Sequence, residues 1–249
     1  PRSHGDTMSA GLSASAVTRT FRGGAGIHDV HIEVRPGTIH ALVGLNGAGK
    51  TTLMKVLLGM LRPTAGRVLL GGTDLRKLPA AAWSGVGHVI EHPLAYGDLT
   101  ARENLLLSAR LHGLTAGVAA GAVDTAIGAF GLEPYAEVRV RQLSAGNRQR
   151  VGLAAAMQHH PRVVVLDEPT STLDPAGVLL LRDALRTRRA AGAAVLVSSH
   201  HLDEVARIAD RITVLNAGRV IGTLDPTGAD LEQAFFASVL ADDQERGQA

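Results

Sequence analysis

The chain has 249 residues and 45% hydrophobic content, enough for a single large domain with a buried core and unlike a disordered chain. Lys+Arg number 25 against 23 Asp+Glu, and aromatics are 3% with no basic run between them, which argues against a nucleic-acid platform. There is no cysteine, so disulfides, thiolate metal sites and a cysteine nucleophile are excluded.

Residues 1–7, ahead of Met8, read as an expression-tag remnant. No signal-peptide pattern and no apolar run of membrane-spanning length appears, so a soluble cytosolic chain is the expectation. From about Ala14, short β-rich segments alternate with longer helical ones. Strands are predicted at Ile27–Val34 and Ile39–Val43, a helix at Lys50–Leu58, and strands at Arg67–Leu70 and Val86–Ile90. Helices follow at Ala101–Leu111 and Val118–Phe130, ended by Gly113 and Gly131, and at Ala145–His159, closed by Pro161. Val163–Leu166 is a continuous apolar run, as in a strand covered on both faces. Pro175–Ala191 is helical, with Asp174 as N-cap and Pro175 at the first position. A strand at Val195–Ser198 and a short helix at Leu202–Ile208 come next. Ile212–Leu215 and Val220–Thr223 form a hairpin around Asn216-Ala217-Gly218, and Leu231–Leu240 is a last amphipathic helix. The alternation predicts an α/β domain over residues 8–240 with a mainly parallel sheet. A helical insert occupies roughly Thr100–Arg141, its subdomain reaching to about residue 150, and residues 241–249 read as a polar tail.

Gly44-Leu45-Asn46-Gly47-Ala48-Gly49-Lys50-Thr51 fits the phosphate-loop pattern G-x-x-x-x-G-K-[ST], between a strand and a helix. With this composition a chance match has a probability of roughly 0.4%. Glycines let successive backbone N–H groups curl around a polyphosphate, and the helix that follows turns its positive end toward the anion. Asn46, Gly47, Ala48, Gly49, Lys50, Thr51 and Thr52 are therefore candidate nucleotide contacts, with Lys50 on the β- and γ-phosphates and the Thr51 hydroxyl on Mg²⁺. Asp167 and Glu168 end the buried Val163–Leu166 run, where a parallel strand delivers its last residues to the mouth of the sheet. Asp167 is a candidate Mg²⁺ partner, and Glu168 a candidate base for an attacking water. A guanine-reading Asn-Lys-x-Asp run is absent from the sequence.

Leu143-Ser144-Ala145-Gly146-Asn147-Arg148-Gln149-Arg150 resembles the LSGGQ signature of nucleotide-binding domains of ABC transporters. Ser171-Thr172-Leu173-Asp174-Pro175 resembles the family's D-loop, and Val197-Ser198-Ser199-His200 its switch-histidine segment. Leu99–Leu105 resembles the stretch after its Q-loop. The motifs run in the family's order from about Ala14 to Leu240. The resemblance implies a P-loop core with a mainly parallel sheet, an N-terminal antiparallel β subdomain and a helical insert. It implies an ATPase that binds ATP and Mg²⁺, with Lys50, Glu168 and His200 as its catalytic group. Ser144, Gly146 and Asn147 would donate to the γ-phosphate on a second copy, with Asp174 communicating across that interface and Phe21 stacking on adenine. It implies a homodimer at the cytoplasmic face of the membrane, working with separate transmembrane permease subunits that dock beside Glu91. The alternative is a soluble ABC-type ATPase of an assembly or regulatory complex, distinguished by whether a membrane protein co-purifies.

Three positions depart from the family pattern. Ala145 and Asn147 replace a glycine and a glutamine of the signature, and Glu91 stands where most members carry glutamine. A carboxylate there can ligate Mg²⁺ but repels the γ-phosphate when the metal is absent. Glu91 resembles the E-loop of bacitracin and lantibiotic self-protection exporters, which implies export of a peptide, antibiotic or lipid-like substrate. His159-His160 is expected at a helix end, where the dipole favours imidazolium, and not at a metal.

Overall fold

The computed structural model describes residues 11–93, 95–228 and 230–247. Residues 1–7 lie outside the described residues. Two sheets and their covering helices carry the site. The first sheet is antiparallel, in the order β2-β1-β4-β5, from β1 (Leu12–Thr20), β2 (Gly26–Val34), β4 (Ala65–Leu70) and β5 (Thr73–Asp74). The second has the order β10-β9-β3-β8-β7-β6. In it β3 (Thr38–Val43), β6 (Val86–Val89), β7 (Val163–Leu166), β8 (Ala194–Ser199) and β9 (Arg211–Asn216) are parallel, and β10 (Arg219–Leu224) pairs antiparallel with β9.

The core strands are apolar because both faces are covered. Every residue of β7 and β8 is buried. One face packs against α1 (Lys50–Leu57) and the antiparallel sheet, through Leu53, Met54, Val165 and Leu196. The other packs against α4 (Ala145–Met157), α5 (Pro175–Ala190) and the helical insert, through Leu153, Leu166, Leu181 and Val195. The insert consists of α2 (Ala101–Leu111) and α3 (Ala116–Ala129). Short α6 (Leu202–Ala206) and α7 (Leu231–Gly247) cover the β9 side through Val205, Phe235 and Val239.

Helix starts follow local chemistry. Thr100 and Glu103 form a reciprocal capping box at α2, Ser144 caps α4, and Asp174 caps α5 with Pro175 at its first position. Buried Asn104 ties the segment before α2 to the helix, bonding both the N–H and the carbonyl of Tyr96.

Differences from the sequence expectation are local. β1 lacks the sequence pattern of a strand because Ala16 adopts φ 52° and the pairing register shifts between Ala14 and Val17, so the buried positions lose their two-residue period. The last helix continues past Leu240 to Gly247, where Asp242 and Asp243 accept from buried Asn216. At the end of α4 the dipole expectation fails. Burial, then the positive field of His112, lowers His159 to about 4, and burial also lowers His160.

Candidate nucleotide site

The loop from Gly44 to Gly49 joins β3 to α1 at the C-terminal edge of the parallel sheet. Gly49 has φ 103°, a left-handed conformation that a side chain would strain, and it sets the first turn of α1. Leu53 N–H donating to Gly49 O is the helix's first bond, so the N–H groups of Lys50, Thr51 and Thr52 have no intrahelical acceptor. Asn46 and Gly47 are exposed, while Ala48 is buried beneath the loop.

Lys50 is 6% exposed and turns back along the loop, its Nζ donating to Gly44 O at 2.7 Å. The same ammonium stands 3.2 Å from Glu168 Oε1, and His200 Nδ1 is 2.8 Å from Glu168 Oε2. Glu168 thus lies between a lysine and a histidine. Its backbone adopts φ 46°, a left-handed conformation costing about 1–2 kcal/mol for a side-chain-bearing residue.

Asp167 is the adjoining junction. Thr51 Oγ1 donates to its Oδ2 at 2.6 Å, and Ser198 Oγ donates to its Oδ1 at 2.6 Å. The Ser198 oxygen accepts from Glu168 N–H at 2.8 Å, so one hydroxyl fixes both acidic residues. Ser198 is a site residue to which the sequence motifs assign no role. Its signal lies in the sheet register: Leu166 pairs with Val197, which makes Asp167 and Ser198 neighbours.

Glu91 and Lys55 form a 2.7 Å ion pair with side chains 55% and 26% exposed. Glu91 also has φ 60°, within a narrow turn where Ile90 bridges His92. The carboxylate expected near a metal is therefore engaged by the P-loop helix.

A second cluster surrounds the start of α4. Ser144 is exposed, and its hydroxyl accepts from the backbone N–H of Asn147 at 3.2 Å. A Cβ on Gly146 would stand 2.9 Å from Thr172 O, so glycine allows the D-loop-like segment to approach. Gln149 is buried and donates to Pro169 O at 3.2 Å, tying α4 to the segment after Glu168. Asp174 bonds Arg150 and, at 2.8 Å, Gly177 N–H. First the Arg150 guanidinium and then Gly177 hold its carboxyl below the ordinary range. Asp174 thus joins α4 to α5 within this chain. Phe21 sits in the turn after β1, 42% exposed, with the Arg19 guanidinium 5.1 Å from its ring centre.

The structure therefore brings together the P-loop, Asp167, Glu168 and His200. Among the described residues no hydrogen bond or ion pair joins Ser144, Gly146, Asn147, Asp174 or Phe21 to that group.

Known proteins give this arrangement a family. A model described as "ABC transporter" matches residues 27–171. A daunorubicin resistance ATP-binding protein, DrrA3 of Streptomyces coeruleorubidus, is 41% identical over 80% of this chain and 64% of its own length. The bacitracin transport ATP-binding protein BcrA of Bacillus licheniformis is 32% identical over 86% of this chain and 69% of its own length. The chain thus spans about two thirds of these relatives. A solved ATP-binding subunit of an ABC transporter superposes with a TM-score of 0.81 at 28% identity, covering 92% of this chain and 94% of the other. From its phosphate loop, acidic strand end and signature-like helix, together with these matches, the chain belongs to the ABC transporter family, as an ATP-binding subunit.

Proposed function

We propose that this chain hydrolyses ATP to drive export through separate membrane subunits. The observation that carries the reading is Glu168 held between Lys50 and His200 at the mouth of the phosphate loop. The first-turn N–H groups of α1, with Lys50, grip the β- and γ-phosphates, and Asn46–Thr52 line the chain of phosphates. Phe21 takes the adenine face in exchange for its contact with Arg19. Glu168 accepts a proton from the attacking water, and His200 keeps the carboxylate and the γ-phosphate in register.

Thr51 and Asp167 supply two hard oxygen donors 2.6 Å apart, a donor set that suits Mg²⁺. Bound there, Mg²⁺ would neutralise charge on the phosphate oxygens. Glu91 can join these ligands only by leaving Lys55.

Ser144 caps a helix whose exposed start makes no hydrogen bond to the phosphate loop among the described residues. Ser144, Gly146 and Asn147 would therefore close the site of a second, identical copy, and Asp174, through Arg150, would couple α4 and α5 at that interface. No helix among the described residues is long and apolar enough to cross a membrane. The family match supports separate permease subunits as partners, with the chain at the cytoplasmic membrane face. A groove of about 140 Å³ lined by His88, Tyr96, Asn104, Ser108 and His112, between β6 and the insert, supports docking on this side of the chain, although Glu91 is not among its lining residues. Glu91 and the two named relatives support an antibiotic, peptide or lipid-like cargo.

Glu168→Gln tests the central role. Bound nucleotide, measured by equilibrium dialysis, should be retained while phosphate release falls at least about 100-fold, the lower end of the range for general-base loss. A freely hydrolysing variant contradicts the assignment.

A further inference from the structure

The helical insert presents a face that its own packing does not explain. Along α3 the one charged residue is Asp124, and Arg102 pairs with it. The remaining outward residues are small or apolar, with Val118 60% exposed. A Cβ on Gly117 or Gly121 would meet nothing within 4 Å, so contacts within the chain require neither glycine, although each weakens the helix. This face is one wall of a groove of about 640 Å³, whose other walls come from the end of α4 and from α5. That volume is typical of small-molecule sites.

Two polar groups of residues lining the groove lack partners among the described residues. Gln158 is 5% exposed and donates its Nε2 to Leu105 O, but its Oε1 receives no donor. The Arg188 guanidinium is half-buried, and no carboxylate acts on it: burial alone shifts it, downward. An unpaired cation beside an uncharged, largely apolar wall in one groove describes a complementary ligand.

We propose that this groove binds a free anionic amphiphile. Its acidic head pairs with Arg188, and its apolar body lies along Gly117, Val118 and Gly121. Guanidinium favours carboxylate and sulfonate heads through paired, charge-assisted hydrogen bonds. The P-loop residues do not line this groove, so the proposal stands apart from the nucleotide reading.

The probes are 1-anilinonaphthalene-8-sulfonate, laurate below its micelle concentration, and uncharged N-phenyl-1-naphthylamine, each titrated into the full chain. Saturable sulfonate fluorescence that laurate displaces is expected. Arg188→Gln should weaken both anions about tenfold and leave the uncharged dye unchanged. Gly121→Leu fills the groove from a helix that favours leucine over glycine. It should weaken all three probes about tenfold or more while thermal unfolding stays at or above the parent's. The proposal is overturned by non-saturable binding, by Gly121→Leu binding as the parent does, or by association with phosphatidylglycerol vesicles but not with free laurate.

Discussion

At the scale of single residues, Ser198 carries more of the site than its motif suggests. It donates to Asp167 and accepts from Glu168 N–H, so Ser198→Ala removes two bonds in a buried setting. A stability loss of about 1–3 kcal/mol is expected by urea denaturation, with a raised Mg²⁺ requirement for turnover. An unchanged Mg²⁺ titration would assign Ser198 to stability alone. Lys55 and Glu91 behave differently, because an exposed ion pair contributes about 1 kcal/mol or less. Glu91→Gln should therefore barely move the unfolding midpoint and yet shift the Mg²⁺ dependence of ATP hydrolysis. An identical metal titration in parent and variant removes Glu91 from the metal site. The sequence could nominate Asp167, Glu168 and His200 from local motifs. It could not pair Lys55 with Glu91 or Asp167 with Ser198, because those contacts arise from register and chain return.

At the scale of elements, the two helix starts depend on close backbone approach. Gly146→Ala would set a Cβ 2.9 Å from Thr172 O. The expected result is a folded protein, by circular dichroism, with reduced turnover and weaker ATP-dependent dimerisation in light scattering. Dimerisation equal to the parent's would separate this contact from the interface. Strongly patterned elements were legible: the apolar Val163–Leu166 run and the Ala101–Leu111 helix match their predicted bounds. β1 was hidden by its bulge at Ala16. The end of α7 was hidden by polarity, since Asp242 and Asp243 are helical and bond Asn216. Helix polarity likewise misjudged His159, because removal from water outweighs a terminal dipole at that depth.

At the scale of the whole molecule, a buried and a partly buried histidine link stability to pH. His40 donates from Nδ1 to Glu33 O and accepts at Nε2 from Thr213, a neutral tautomer inferred from those partners. Burial lowers both His40 and His159 to about 4 from 6.5. The unfolded chain then binds more protons, so their stabilisation is complete above pH ~6.5 and is lost as pH falls toward ~4. Thermal unfolding should show that decline, and His40→Gln should flatten it. An equally steep decline in the variant would exclude His40 as a contributor.

The two sheets place a phosphate loop and a signature-like helix on one chain without joining them, which is why a second copy is invoked. Mixing two inactive variants tests this most directly. Lys50→Ala lacks a working phosphate loop and Ser144→Arg lacks a working signature. In an equal mixture half the dimers are mixed, and each of those holds one intact site of two. Phosphate release should therefore recover to about a quarter of the parent's. No recovery above either variant alone, or full turnover by Ser144→Arg alone, contradicts a site shared between copies.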